Sequence, residues 1–242
     1  MWRGVASLWL SVAGASAAAQ SPPAQPVPFS AAEPGKAPPP PWHHQPLPKV
    51  ERQNRFDLVA DDGRTVLRVR SDAAASTLAH ELDVDPARTP MLAWRWKVSA
   101  PVVGSDFRHK AGDDYAARVY VLFDYPVARL ALADRVKISL ARTLYGAELP
   151  AAALAYVWGN AQQPGAIGPN PYTDRVRMIV VDSGAAQAGQ WVEVRRDVAA
   201  DFRAAFGETA PRIVGIAVSA DTDNTGERVT TLFGDLRFLA AE

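Results

Sequence analysis

Short runs in which apolar and polar residues alternate recur along this chain, and they constrain its fold more than any other feature. The run 91–98 places Trp94 and Trp96 on one side and Arg95 and Lys97 on the other. This period of two residues is typical of a β-strand with one buried face and one solvated face. We therefore expect the two tryptophans in a core that a second layer covers.

The other runs extend this pattern into two packed antiparallel sheets. Asp61-Asp62-Gly63 separates the runs 56–60 and 65–69, which predicts a hairpin with an Asp-Gly turn. Apolar residues recur at helical spacing only at 130–144 and 198–206, which predicts two helices. Two helices are too few to connect the strands of a parallel α/β sheet. We predict a mostly β fold, an antiparallel β-sandwich of the jelly-roll or galactose-binding-like type, with one inserted helix and one short helix. The further strands are predicted at 77–82, 91–98, 115–125, 154–158, 175–181, 191–196, 213–219 and 229–239.

Residues 1–19 have the features of an export signal. Arg3 precedes an apolar run from Val5 to Val12, and Ala17-Ala18-Ala19 supplies the small residues of a cleavage position. A retained membrane anchor is the alternative, but the apolar run is shorter than the roughly 20 residues that span a bilayer. We expect a periplasmic or secreted protein that has no integral membrane span once the signal is cleaved.

The remaining chain divides by composition into a linker and a domain. Residues 20–49 are dense in proline and alanine, and they include the run Pro38 to Pro41. Such a segment lacks backbone donors and favours extended, solvated conformers, which predicts a disordered linker. Residues 50–242 then form the β-sandwich domain.

The overall composition narrows the classes of function. The chain has 26 basic and 26 acidic residues, so it has no global field that would attract nucleic acid. It has no cysteine, which excludes disulfides, thiolate metal sites and a cysteine nucleophile. Motifs for serine hydrolases, zinc proteases and phosphate loops are also absent from the sequence. A noncatalytic protein is therefore the preferred interpretation.

One acidic segment resembles the start of a calcium loop. Asp221, Asp223 and Thr225 occupy positions one, three and five, and a glycine occupies position six. Position twelve is Leu232 rather than a bidentate glutamate, so an EF-hand is disfavoured. The candidate metal ligands are Asp221, Asp223 and Thr225, and the candidate cofactor is a structural calcium. The alternative is a tight turn, because Asp, Asn, Thr and Gly also stabilise turns through their own backbone.

A second acidic segment precedes the predicted strand 115–125. Two acids on opposite sides of a cleft can hydrolyse a glycosidic bond when one is protonated and the other ionised. The pairing that the sequence offers is Asp113 or Asp114 with Asp221 or Asp223. These four residues are the candidate catalytic residues of a glycan-active hydrolase.

The polar faces of the predicted strands supply candidate ligand-binding residues. If they share one sheet surface, guanidinium groups could bind the carboxylates of a glycan, and aromatic rings could stack on sugar faces. The alternative is that these side chains solvate the outside of the sandwich. The candidates are Arg95, Arg118, Tyr120, Arg177, Trp158 and Trp191, the two tryptophans lying at strand ends.

Six motifs, in this order along residues 50–240, resemble those of a known family. They are Trp94-Arg95-Trp96, the segment 112–120, Tyr156-Val157-Trp158, Arg195-Arg196-Asp197 with Asp201-Phe202, the segment 221–226, and Phe233-Gly234-Asp235. The chain resembles an uncharacterised bacterial domain-of-unknown-function family, numbered three thousand and forty-seven. That resemblance implies no activity.

The residues themselves favour a noncatalytic carbohydrate-binding-like module, whose partner would be a polysaccharide or an envelope glycan. Two alternatives stay open. One is the hydrolase that uses the loop carboxylates, and the other is a structural or protein-binding module of the cell envelope.

Overall fold

Two β-sheets face each other in the computed structural model, which describes residues 24–47, 50–130 and 151–241 together with Leu132 and Arg135. The predicted export signal at 1–19 lies outside the described residues, as does most of the predicted inserted helix at 130–144. The described residues confirm a mostly β sandwich. In chain order the elements are β1 (His43–Pro46), β2 (Arg55–Asp61), β3 (Arg64–Asp72), β4 (Ser76–Val84), β5 (Met91–Val98), β6 (Tyr115–Phe123), β7 (Ala152–Gly159), β8 (Ile167–Asn170), β9 (Thr173–Ser183), β10 (Val192–Asp197), α1 (Val198–Phe206), β11 (Ile213–Asp221), β12 (Arg228–Phe233) and β13 (Arg237–Leu239).

The strands form two sheets, which we name by their order in space. Among the described residues, sheet A has the order β1-β4-β11-β6-β7-β9-β8, and sheet B has the order β10-β5-β12-β3-β2 with β13 also paired to β5. All pairs are antiparallel except β7 and β9, which run parallel. This pair differs from the wholly antiparallel prediction because β8 takes the edge of sheet A and β9 returns between β8 and β7.

Alternating side chains of both sheets fill the space between them. Trp94 and Trp96 are 2% and 0% exposed, which confirms their predicted place in the core. The Trp96 ring packs against Phe233 of the same sheet, at 6.4 Å between centroids, and the Trp94 ring lies 5.4 Å from Tyr156 of sheet A. The apolar side of the 91–98 alternation is therefore the inner face of sheet B.

Two local predictions are also confirmed. The β2–β3 hairpin closes through Asp62 and Gly63, whose φ angles of 51° and 69° are those of the turn that matches strand twist. The short helix α1 begins after Asp197, whose carboxylate accepts a hydrogen bond from the Ala200 backbone N–H at 2.8 Å. It ends at Gly207 in the left-handed conformation.

The N-terminal segment differs from the predicted disordered linker at 20–49. Phe29 and Trp42 lie in the core at 0% and 5% exposure, and β1 pairs with β4 at the edge of sheet A. Burial of these two aromatic side chains stabilises the segment, while its prolines keep the backbone extended along the sandwich. The fold therefore begins well before residue 50. Within the described part of the chain, no helix has the length and apolarity needed to cross a bilayer.

Candidate functional site

Loops from both sheets meet at one end of the sandwich, which we call the loop end. The β11–β12 loop reaches the β5–β6 loop, because the Glu227 carboxylate accepts hydrogen bonds from the backbone N–H groups of Val103 and Gly104 at 3.0 and 3.1 Å. The β7–β8 loop joins them, since the Asn160 amide donates to the Val103 carbonyl at 2.9 Å. The acidic segments that the sequence singled out therefore lie at the same end.

Arg118 is the centre of a buried charge network at the loop end. Strand alternation in β6 turns Arg118 and Tyr120 away from the core, onto the outer face of sheet A, where Arg118 is only 2% exposed. Its guanidinium pairs with Asp113, at 3.1 Å between Nη2 and Oδ1, and with Asp221 of the neighbouring β11. It also donates to the Tyr120 hydroxyl at 3.2 Å. We call Arg118, Asp113, Asp221 and Tyr120 the Arg118 network.

Further donors bind the carboxylates around Arg118, and the Ser219 hydroxyl donates to Asp221 Oδ1 at 3.1 Å. Asn170 donates to Asp113 Oδ2 at 2.8 Å. Asp114 accepts from the Asn224 amide at 2.9 Å and from the Thr225 backbone N–H at 2.7 Å. The structure thus brings Asp113 and Asp221 together on one guanidinium, and it places Asp114 beside them in the loop.

Burial dominates the electrostatics of this network. It raises the pKa of Asp221 to about 7, and the nearby Asp113 and Asp114 carboxylates act in the same direction, while Arg118 opposes the shift. Burial also raises the pKa of Tyr120 and of Tyr115, so both phenols stay protonated at neutral pH. Asp221 is therefore a carboxyl group that titrates near neutrality.

The stability of the protein should depend on this titration. The usual pKa of Asp221 is 3.8, and its pKa in the folded protein is about 7. At pH values between these two, Asp221 holds a proton in the folded protein and loses it on unfolding. We expect its contribution to the free energy of unfolding to be fully present below about pH 4 and to be lost as the pH rises to about 7. Denaturant unfolding of the wild type and of Asp221→Asn across this range measures it. In the variant, the free energy of unfolding should fall less steeply with pH over this range. Parallel plots of the free energy of unfolding against pH for the two proteins would contradict the raised pKa of Asp221.

The candidate calcium ligands are arranged differently from an ion cage. The Asp221 carboxylate faces Arg118, Asp223 is exposed, and the Thr225 hydroxyl accepts a bond from the Glu227 backbone N–H at 3.4 Å. Among the residues that the structure describes, no three His, Cys, Asp or Glu side chains are grouped as metal ligands would be. A structural calcium at Asp221, Asp223 and Thr225 stays a prediction.

The six candidate ligand-binding residues do not share one surface. Arg95 and Trp191 lie on the outer face of sheet B, where the Arg95 guanidinium carbon is 4.2 Å from the centre of the Trp191 ring. Arg118 and Tyr120 lie on the outer face of sheet A, across the core. Arg177 is near α1, with its guanidinium carbon 5.5 Å from the Phe206 ring.

Trp158, predicted at a strand end as a ligand stacker, is a core residue. It is 0% exposed, its ring lies 6.0 Å from Trp96, and its indole N–H donates to the Gly184 carbonyl at 3.0 Å. The reason is strand alternation in β7, which turns Leu154, Tyr156 and Trp158 toward the core together. A side chain so enclosed has no face for a ligand.

A pocket that the sequence reasoning missed lies on the outer face of sheet B, at the loop end. Its volume is about 490 Å³, and four arginines line it: Arg52, Arg55, Arg70 and Arg228. Part of this pocket could have been predicted from the sequence. Pairing Asp61 with Arg64 across the predicted hairpin turn places Arg55 opposite Arg70. We call this site the arginine pocket.

The charges of the arginine pocket are only partly balanced. Arg228 pairs with Asp72 at 2.8 Å, and Arg70 lies 3.7 Å from Asp57, which also pairs with Arg68. Within the described ranges, Arg52 and Arg55 make no side-chain ion pair. The pocket therefore carries excess positive charge in a chain whose formal net charge is zero.

Comparison with known proteins identifies a family. No curated protein matches the chain significantly. The chain is similar to a solved structure, the family 30 carbohydrate-binding module of the cellulosomal cellulase Cel9D-Cel44B of Clostridium thermocellum, with 12% identity over 83% of this chain and 91% of that one. The TM-score is 0.37, so this likeness carries no argument about function. A family model described as "Protein of unknown function (DUF3047)" matches residues 40–237, and the chain therefore belongs to this family, as its motifs predicted.

Proposed function

We propose that this protein is a noncatalytic binding module for a carboxylate-bearing polysaccharide outside the cytoplasm, and that the arginine pocket is its binding site. The observation that carries the proposal is the group of four arginines around one cavity of about 490 Å³. Small-ligand sites commonly have volumes of roughly 300 to 1,000 Å³. The pocket is therefore large enough for a sugar unit with its acidic substituent.

Arginine is suited to this ligand because its planar guanidinium donates two parallel hydrogen bonds to one carboxylate. Arg52 and Arg55 are exposed and keep these donors available in the described structure. Asp72 and the Thr230 hydroxyl add polar groups that can bind sugar hydroxyls at the wall of the pocket. The predicted export signal at 1–19 supports a ligand found outside the cell.

Binding to polygalacturonate should therefore depend on the arginine pocket. Replacing Arg55 and Arg70 together by Gln should weaken binding about tenfold or more, because each bond between charged groups is worth about 1.5 to 3 kcal/mol. Isothermal titration calorimetry at low and high salt measures this loss and its salt dependence. The neutral polysaccharide dextran should not bind.

Arg212 provides a matched control for this experiment. It is an exposed arginine that pairs with Asp83, away from the outer face of sheet B. The Arg212→Gln variant should bind polygalacturonate as the wild type does. An equal loss in both variants, or equal binding of dextran and polygalacturonate, would show that the pocket is not the site.

A glycan-active hydrolase is the second candidate, and the Arg118 network favours it. Asp113 and Asp221 share one guanidinium, and burial raises the pKa of Asp221 to about 7, as in sites where one carboxyl group acts as an acid. Release of reducing ends from polygalacturonate separates the candidates. Turnover that is lost in Asp221→Asn supports the hydrolase, whereas binding without turnover supports the module.

A further inference from the structure

An ordered aromatic site lies on the same outer face of sheet B as the arginine pocket. The Trp191 indole N–H donates to Asp61 Oδ1 at 2.8 Å, and Lys97 Nζ pairs with the same carboxylate oxygen at 2.7 Å. The Arg95 guanidinium carbon and Lys97 Nζ lie 4.2 and 5.2 Å from the centre of the Trp191 ring. We call Trp191, Arg95, Lys97 and Asp61 the Trp191 patch. Its indole is held from several sides and yet is only half-buried.

The Arg95 side chain that supports the indole is closely packed. A Cβ atom at Gly234 would lie 2.6 Å from Arg95 Cγ, so the glycine provides the space that the Arg95 side chain occupies. That side chain is 13% exposed, and it lies 3.9 Å from the Asp62 carboxylate. Because the orientation of the ring is fixed in advance, a ligand that stacks on it would not have to order it.

Strand register relates the Trp191 patch to the arginine pocket. Lys97 lies opposite Leu232, and Thr230, two residues away on the same strand, lies opposite Arg70. Two strand spacings and one two-residue step therefore separate Lys97 from Arg70, which is roughly 12 Å between their Cα atoms. Leu232, which carries no charge, lies between Lys97 and Thr230, and Thr230 already belongs to the wall of the arginine pocket.

We propose that the Trp191 patch is a second subsite for the polysaccharide chain that occupies the arginine pocket, so that the protein binds several consecutive sugar units. This inference rests on the proposed function. A single sugar unit in the pocket is too short to reach Trp191, but the next units of the same chain can. In the patch the charges of Arg95 and Lys97 are balanced by Asp61 and Asp62, so the indole contacts the face of a sugar ring rather than its carboxylate.

Dependence on ligand length tests this subsite. Titration calorimetry compares digalacturonate with hexagalacturonate on the wild type, on Trp191→Ala and on Trp191→Phe. Two linked contacts raise apparent affinity strongly, so the hexamer should bind the wild type at least about tenfold more tightly than the dimer. Trp191→Ala should lose this gain and keep its affinity for the dimer, and Trp191→Phe should keep part of it. Tyr172→Ala, which removes a 58% exposed aromatic ring at the sheet A side, is the matched control and should keep the whole gain.

The outcomes separate the inference from the proposed function. Equal affinity of the dimer and the hexamer for the wild type would overturn the second subsite and leave the arginine pocket standing. The second subsite would also be overturned if Trp191→Ala weakened binding of the dimer and the hexamer equally. The same holds if Tyr172→Ala removed the higher affinity for the hexamer. If neither ligand binds the wild type, the proposed function fails and the inference fails with it.

Discussion

Replacing Arg118 by Met should lower the free energy of unfolding by about 3 to 5 kcal/mol, because removal of one partner leaves buried charges without compensation. Arg118 is 2% exposed, and it is the cation that both Asp113 and Asp221 contact. Methionine has a similar length and fills much of the same space. The loss of stability therefore reflects the missing charge of Arg118 and not a cavity. Equilibrium unfolding in urea measures it.

Two comparisons define the cause of that loss. Arg212→Met breaks an exposed pair with Asp83, and it should cost less than about 1 kcal/mol. Adding Asp113→Asn and Asp221→Asn to Arg118→Met should restore part of the lost stability, because the uncompensated carboxylates are then gone. A loss below about 1 kcal/mol in Arg118→Met would contradict a buried network at the loop end.

Replacing Trp158 by Ala should destabilise the protein by a similar amount, about 3 to 5 kcal/mol, because it leaves a large cavity between the sheets. The ring is fully buried against Trp96, and its indole N–H has a partner in the Gly184 carbonyl. The same denaturant measurement applies. Trp158→Phe should cost less, since it refills part of the cavity and loses mainly the hydrogen bond.

The exposed ring of Tyr172 is the control for this second prediction. Tyr172→Ala should change the free energy of unfolding by no more than about 0.5 kcal/mol, as expected for a surface position. If Trp158→Ala were as mild as Tyr172→Ala, Trp158 would be accessible, and its role as a ligand-stacking residue would have to be reconsidered.

The sequence predicted the parts of this fold that depend on local rules. The alternation in 91–98, the Asp62-Gly63 turn and the short helix at 198–206 each follow from a few neighbouring residues, and each is found in the structure. The place of Trp158 could not be predicted as well, because its position at the end of a predicted strand suggested exposure. Strand β7 instead stays between its neighbours up to that residue.

The site was harder to predict because it depends on the path of the loops. In the sequence, Arg118 belongs with the ligand-binding candidates and not with the acids before it, but a single 3₁₀ turn at Lys110–Gly112 brings Asp113 back over it. Asp221 arrives from β11, which is distant in sequence but adjacent in sheet A. Likewise, the arginine pocket needs β12 beside β3, where Arg228 lies opposite Asp72 and Thr230 opposite Arg70, and no local pattern reveals this register.

The ordered N-terminal segment would limit how far this domain can stand from a membrane if the leader were retained. Gln25 already exchanges two hydrogen bonds with Phe238 of β13, at 2.8 and 2.9 Å. If the leader were kept as an anchor, residues 20–24 would be the whole spacer, with a reach of at most about 18 Å. A free spacer over 20–49 would have reached about 100 Å. A retained leader would therefore hold the sandwich at the lipid surface, where it could meet only ligands lying close to that surface.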